Sequence, residues 1–203
     1  MTDAQDAAAR EEEDGYRVLG TGALRALAHP LRVQIYDILS QYGPQTASTL
    51  AGMTGESSGA TSYHLRALAK HDLIREIDGR GTTRERWWER PVGGVSFNNP
   101  DAMKTPAGRA ATQVVMNEFF NRRHQQLMGF LTDGLRKETG GWRDWALIST
   151  GTARLTVEQL QELSEKVQAI IDETVDTYRD QTGEGVRPVS IRADIFPLPE
   201  EGH

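Results

Sequence analysis

The sequence predicts a mainly α-helical protein with one small β-hairpin. Apolar residues recur at three- and four-residue steps in three separate stretches, around residues 24–39, 116–135 and 157–175, which is typical of amphipathic helices. The glycine-rich tetrapeptide Asp78-Gly79-Arg80-Gly81 separates two short runs that have the pattern of strands. These observations together indicate a helical domain that carries a hairpin and is followed by further long helices.

Composition limits the function classes that are open. The 203-residue chain contains no cysteine, which excludes disulfides and thiolate metal sites and fits a cytoplasmic protein. No apolar run approaches the ~18–20 residues that span a bilayer, and Met1 to Asp14 has no signal-peptide pattern. Residues 21–91 hold nine Lys and Arg against seven Asp and Glu, a local charge of +2. Because the net charge of the whole chain is −6, the rest of the chain has a charge of −8. This distribution permits nucleic-acid binding.

The helical elements follow in order from residue 21, after an acidic flexible tail predicted over residues 1–20. A short helix ends before Pro30, which suits the first turn of a second helix. Gly43-Pro44 ends that helix, and Thr46 is a good N-cap for a short third one. Ser57 or Ser58 caps a fourth helix. Its inner face is expected to carry Thr61, Leu65 and Leu68.

A hairpin completes the first domain. Leu73 to Ile77 has the pattern of a strand, Asp78 to Gly81 that of a turn, and Thr82 to Glu89 that of a returning strand. The order helix, helix, short helix, turn, helix, hairpin is that of a winged helix-turn-helix domain. We therefore assign residues 21–91 to such a domain.

The second half of the chain is predicted to be helical. Residues 92–105 have the composition of a linker, and a long helix is expected from about Pro106 to Lys137. Its apolar stripe needs a partner surface, which predicts dimerisation. Thr156 caps another helix that continues to about Tyr178, and residues 189–195 alternate like a short strand. Residues 106–203 are thus interpreted as a helical region for dimerisation and, if an effector exists, regulation.

The fourth helix has the pattern of a DNA recognition helix, because small polar residues on its outer face allow close approach to base edges and phosphates in the major groove. At the hairpin, an arginine between two glycines is placed to contact the minor groove or phosphates. The predicted DNA-contacting residues are Ser57, Ser58, Gly59, Ala60, Ser62, Tyr63, His64, Arg66, Arg80 and Arg84.

Two motifs carry a family resemblance. LRALAHPLRVQIYDIL (Leu24 to Leu39) resembles the opening of ArsR-like winged-helix repressors, and TSYHLRALAKHDLI (Thr61 to Ile74) resembles their recognition helix and its exit. The wing GRGTTRERWW (Gly79 to Trp88) completes the pattern. The resemblance implies a homodimer that binds a partly palindromic operator in double-stranded DNA through two recognition helices.

The chain departs from that family in three respects. Asp72 stands where the family often has glycine, at a position expected to need a left-handed backbone. The Cys-containing metal motif is missing between Thr46 and Met53, and the helix after Thr156 has no histidine. The sequence therefore predicts no metal site and no cofactor.

Some alternatives stay open at this stage. A winged-helix module that binds a protein instead of DNA fits the acidic total, and a zinc site at His64 and His71 is a weak third option. Trp142 and Trp145 either line a ligand pocket or, as we favour, pack the extension. No catalytic motif is found, so an enzyme is not expected. The sequence does not tell whether a small-molecule or protein effector exists, which genes are regulated, or whether control is repression or activation.

Overall fold

The computed structural model describes residues 16–82, 85–97, 99–138 and 141–199. The chain divides into two units, residues 1–144 and 145–203. The first unit is mainly helical with a small antiparallel hairpin and a long following helix, which confirms the predicted fold class. No helix in the described part of the chain is long and apolar enough to cross a membrane.

Four helices form the head of the first unit: α1 Thr21–Leu27, α2 Pro30–Tyr42, α3 Ala47–Thr54 and α4 Ser58–Ala69. Each of the last three begins at a side-chain cap. His29 Nδ1 accepts from the backbone N–H of Leu31 at 3.2 Å, and Pro30 occupies the first helical position. Thr46 forms a reciprocal capping box with Thr49, and the Ser57 hydroxyl accepts from the backbone N–H of Ala60, the third residue of α4. The predicted caps are confirmed.

A three-stranded antiparallel sheet combines a short strand before α3 with two strands after α4, in the order β2 Gln45–Thr46, β4 Glu85–Glu89, β3 Arg75–Thr82. Strand β2 was not predicted, because two residues give no periodic signal. The predicted turn at residues 78–81 is wrong. Gly79 and Gly81 have φ of +73° and +94° and lie within β3, where the pairing register shifts between Glu76 and Gly81. The predicted strand start at Leu73 is also wrong by two residues.

The apolar core of the head lies between the four helices α1 to α4 and the sheet. Its fully buried side chains share an aliphatic character that permits close packing. They include Leu24, Leu27, Val33, Ile35, Leu50, Leu65, Leu68, Leu73 and Ile74. Trp88 is buried and Trp87 is half-buried on the opposite face of β4, as strand alternation requires.

Residues predicted to be a tail and a linker pair with each other. Strand β1 Tyr16–Val18 runs parallel to β5 Gly94–Ser96, and Leu19 is fully buried. A short helix, α5 Pro100–Met103, comes next. The sequence did not indicate the strands in the predicted tail (residues 1–20) and linker (residues 92–105), since a parallel pairing between distant segments leaves no local signal. The rest of the predicted tail, residues 1–15, lies outside the described residues.

The long helix is present. Helix α6 Pro106–Gly129 passes through one π-helical turn, Phe130–Gly134, into α7 Leu135–Lys137. One face packs on the head: Val115 is buried, and the Phe119 ring lies 4.9 Å from that of Phe97. On the same face Arg122 forms an ion pair with Asp37 of α2 at 3.1 Å. A last short helix, α8 Gly141–Asp144, ends the unit.

The second unit contains α9 Val157–Tyr178, capped by Thr156 in a capping box with Gln159 as predicted. The strand predicted at residues 189–195 is wrong, because this segment joins no ladder among the described residues and a strand needs one. The prediction of this strand rested only on the alternation of apolar and polar residues.

Candidate nucleic-acid interface

Helix α4 is held in place by its inner face. Leu65 and Leu68 are fully buried in the core, and so is Thr61. The Thr61 hydroxyl lies 2.8 Å from the carbonyl oxygen of Ala47, to which it donates across from α4 to α3. The helix-turn-helix pair is thus joined by apolar contact and by one buried hydrogen bond.

The outer face of α4 is small and polar. Ser57, Ser58 and Gly59 are exposed at its first turn, followed by Tyr63 and Arg66, and the Tyr63 side chain is 63% exposed. Small residues at a helix N-terminus allow a nucleic-acid backbone to approach the free N–H groups there. Ala60 and Ser62 are half-buried at the edges of this face.

His64 does not share the outer face. It is half-buried and turned toward the start of α2, where its ring centroid lies 4.6 Å from that of His29. The Tyr63 ring meets it edge-on at 5.1 Å. Burial, and then the neighbouring charges of His29 and Arg32, lower the pKa of His64 against the opposing effect of Glu56.

The wing places its arginines differently from the sequence prediction. Arg80 is not at the hairpin tip but on β3, and its guanidinium carbon lies 3.9 Å from the ring centroid of Trp87. The position of Gly81 has no room for a side chain, because a Cβ there would lie 2.9 Å from Trp87. Arg86 pairs with Glu76 at 3.2 Å. Arg84, predicted to contact DNA, lies outside the described residues.

Arg17 helps to hold the segment after α4 in place. The sequence did not indicate this role, because Arg17 lies in the predicted tail. Its guanidinium donates to the backbone carbonyl of Asp72 at 2.6 Å and to that of His71 at 3.1 Å. These carbonyls follow the end of α4, and Asp72 has the predicted positive φ, +54°. Strand β1 is therefore joined to the segment that follows α4.

The described residues provide little for a metal or ligand. No group of three or more His, Asp or Glu among them is arranged to hold a metal ion. Trp142 is 44% exposed and Trp145 is 88% exposed. A cavity of about 40 Å³ is lined in part by Arg17, Tyr36 and Arg90, which is room for water only.

The comparison with known sequence families agrees with this architecture. The sequence family described as a helix-turn-helix domain matches residues 27–77, from the end of α1 into β3. The crystal structure of the adhesin competence repressor AdcR from Streptococcus pyogenes is similar with a TM-score of 0.32, at 14% identity, over 71% of this chain and 80% of that one. A search of curated proteins found no match. The chain contains a helix-turn-helix domain, and that match indicates a DNA-binding transcription regulator.

Proposed function

We propose that this protein is a cytoplasmic transcription regulator that binds double-stranded DNA as a homodimer and represses the genes it controls. The observation that carries the proposal is the arrangement of α4. Its inner face is buried in the region that matches the helix-turn-helix family. Ser58, Gly59 and Tyr63 are exposed on the opposite face. This division between a packed and a small polar face suits insertion in the major groove.

The reading mechanism assigns separate roles to helix and wing. The residues from Ser57 to Arg66 on the outer face and edges of α4 contact base edges and flanking phosphates. Arg80 contacts the backbone from the wing, with Trp87 supporting its guanidinium. Replacing Arg80 with Ala should weaken DNA binding and reduce the salt slope by about one unit if it contacts one phosphate.

Helix α6 supplies the dimer surface. Its packed face is occupied by the head, whereas Phe120, Met128 and the later Leu135 stay exposed, with His124 beside them. The partner of this stripe is the same stripe of a second copy. Two recognition helices would then reach successive major grooves about 34 Å apart on a partly palindromic operator.

The dimer proposal has a direct test. Phe120→Glu should convert the dimer to a monomer in sedimentation velocity, because a charge at the centre of an apolar interface is costly to desolvate. Gln125→Glu, exposed on the same helix, is the matched control and should leave the dimer intact. A variant Phe120→Glu that sediments like the unmodified protein would refute α6 as the dimer surface.

A competition binding experiment with genomic fragments tests the function as a whole. Regulation predicts a preferred sequence at moderate salt and an affinity that falls steeply as salt rises. The alternative, a winged-helix module for protein partners, predicts affinity that changes little with salt and no preferred DNA. An effector, either small molecule or protein, would act by shifting the dimer between competent and incompetent geometries.

A further inference from the structure

Three basic side chains converge at the start of α2, beside the recognition helix and outside the face described above. His29 caps α2, Arg32 lies one turn further along, and His64 projects from the middle of α4. All three are half-buried, so one edge of each faces the surface. Tyr63, which is exposed, closes the cluster on the side of the recognition helix.

The donors of this cluster are incompletely used. Arg32 Nε and His64 Nδ1 are buried and have no hydrogen-bond partner among the described residues. The one bond from the Arg32 guanidinium, to the carbonyl oxygen of Arg25, is long at 3.4 Å. The Arg32 guanidinium is thus held by no carboxylate among the described residues, so its terminal nitrogens can donate to an acceptor from outside the chain.

The electrostatics favour an anion as that acceptor. Burial lowers the pKa of Arg32 and that of His64, because removing a positive charge from water is costly, and a bound anion would offset that cost. His29 uses Nδ1 as an acceptor, so in its neutral form the ring carries its proton on Nε2, a further donor. The N-terminus of α2, a helix of 13 residues, adds partial positive charge at the same place.

We propose that His29, Arg32 and His64 bind one phosphate of the DNA backbone next to the major groove that α4 enters. This inference rests on the proposed DNA-binding function and extends it, because it adds the start of α2 to a surface otherwise made of α4 and the wing. A phosphate oxygen accepts from the terminal nitrogens of Arg32 and from His29 Nε2, the donors of this cluster that are free to meet it. It contributes affinity and orientation without sequence preference.

The test compares Arg32→Gln with Arg136→Gln, which removes an exposed arginine from α7. Affinity is measured against salt on a genomic fragment and on a mixed-sequence duplex of about 30 base pairs, near three helical turns. For Arg32→Gln we expect the slope to fall by about 0.9 for each bound subunit and the affinity to fall about tenfold on both DNAs. Arg136→Gln should keep the slope of the unmodified protein.

The outcomes separate this inference from the function on which it rests. If the unmodified protein shows no salt-dependent DNA binding, the proposed function fails. If the unmodified protein binds DNA and Arg32→Gln has the same salt slope, the phosphate site is refuted. A rise in the thermal midpoint of the protein with free inorganic phosphate would not rescue it. Should Arg32→Gln not fold, Arg32→Met, which keeps the unbranched apolar stem, takes its place: a lower slope supports the site and an unchanged slope overturns it.

Discussion

The hydroxyl of Thr61 should contribute measurably to stability, because it joins the two helices of the helix-turn-helix pair. Replacing Thr61 with Val keeps the side-chain shape and removes the donor. The closest acceptor is the carbonyl oxygen of Ala47 at 2.8 Å, while those of Ser58 and Ser57 lie at 3.0 and 3.3 Å within α4. A hydroxyl has one proton and so makes one of these bonds at a time.

The expected loss of unfolding free energy follows from the single hydrogen bond that the Thr61 hydroxyl makes at a time. Removing one buried neutral hydrogen bond costs about 1 kcal/mol of unfolding free energy, and the carbonyl of Ala47 retains its place in the α3 ladder, which limits the penalty. Thr61→Ser keeps the bond and loses one buried methyl group, about 0.8 kcal/mol plus a cavity term. Thr61→Ala loses both and should cost about 2 kcal/mol.

Urea unfolding measures all three variants, provided that the denaturant slope is unchanged. Ser58→Ala is the control, since this exposed hydroxyl should matter by less than about 0.5 kcal/mol. If Thr61→Val is as stable as the unmodified protein while Thr61→Ser is destabilised by more than about 2 kcal/mol, the hydroxyl does not join the helices and the reasoning is wrong.

Three further predictions concern other parts of the first unit. Arg122→Gln should cost about 2 kcal/mol in urea unfolding, between the values for surface and buried pairs, because its pair with Asp37 is 21% and 13% exposed; a loss below about 0.5 kcal/mol would contradict this. Gly108→Ala should destabilise strongly, since a Cβ there would overlap the backbone carbonyl oxygen of Ala102 in α5. Gly52→Ala in α3 meets nothing within 4 Å and should stabilise by about 0.5–1 kcal/mol. Burial and neighbouring cations hold the pKa of His64 below its usual 6.5, so the folded state binds fewer protons than the unfolded one. Its contribution to stability is present above pH 6.5 and is lost as the pH falls through the lower folded pKa, and thermal melts of His64→Gln should lack this loss.

The sequence by itself determined the features that depend on neighbouring residues. A cap needs one side chain and a backbone N–H two or three residues further on, so Thr46, Ser57 and Thr156 marked helix starts that the structure contains. The same holds for Asp72, whose left-handed backbone follows from its place at a helix end. Helical periodicity over many residues located α6 for the same reason.

Tertiary structure alone decided the features that join distant residues. Arg17 reaches the end of α4 only because β1 pairs with β5, and nothing local marks that pairing. His64 has the residue type of a groove contact, but the packing of α4 on α2 turns it to His29. The register shift in β3 places Arg80 over Trp87 instead of at a turn. In each case the deciding energy comes from contacts between segments, which no window of sequence contains.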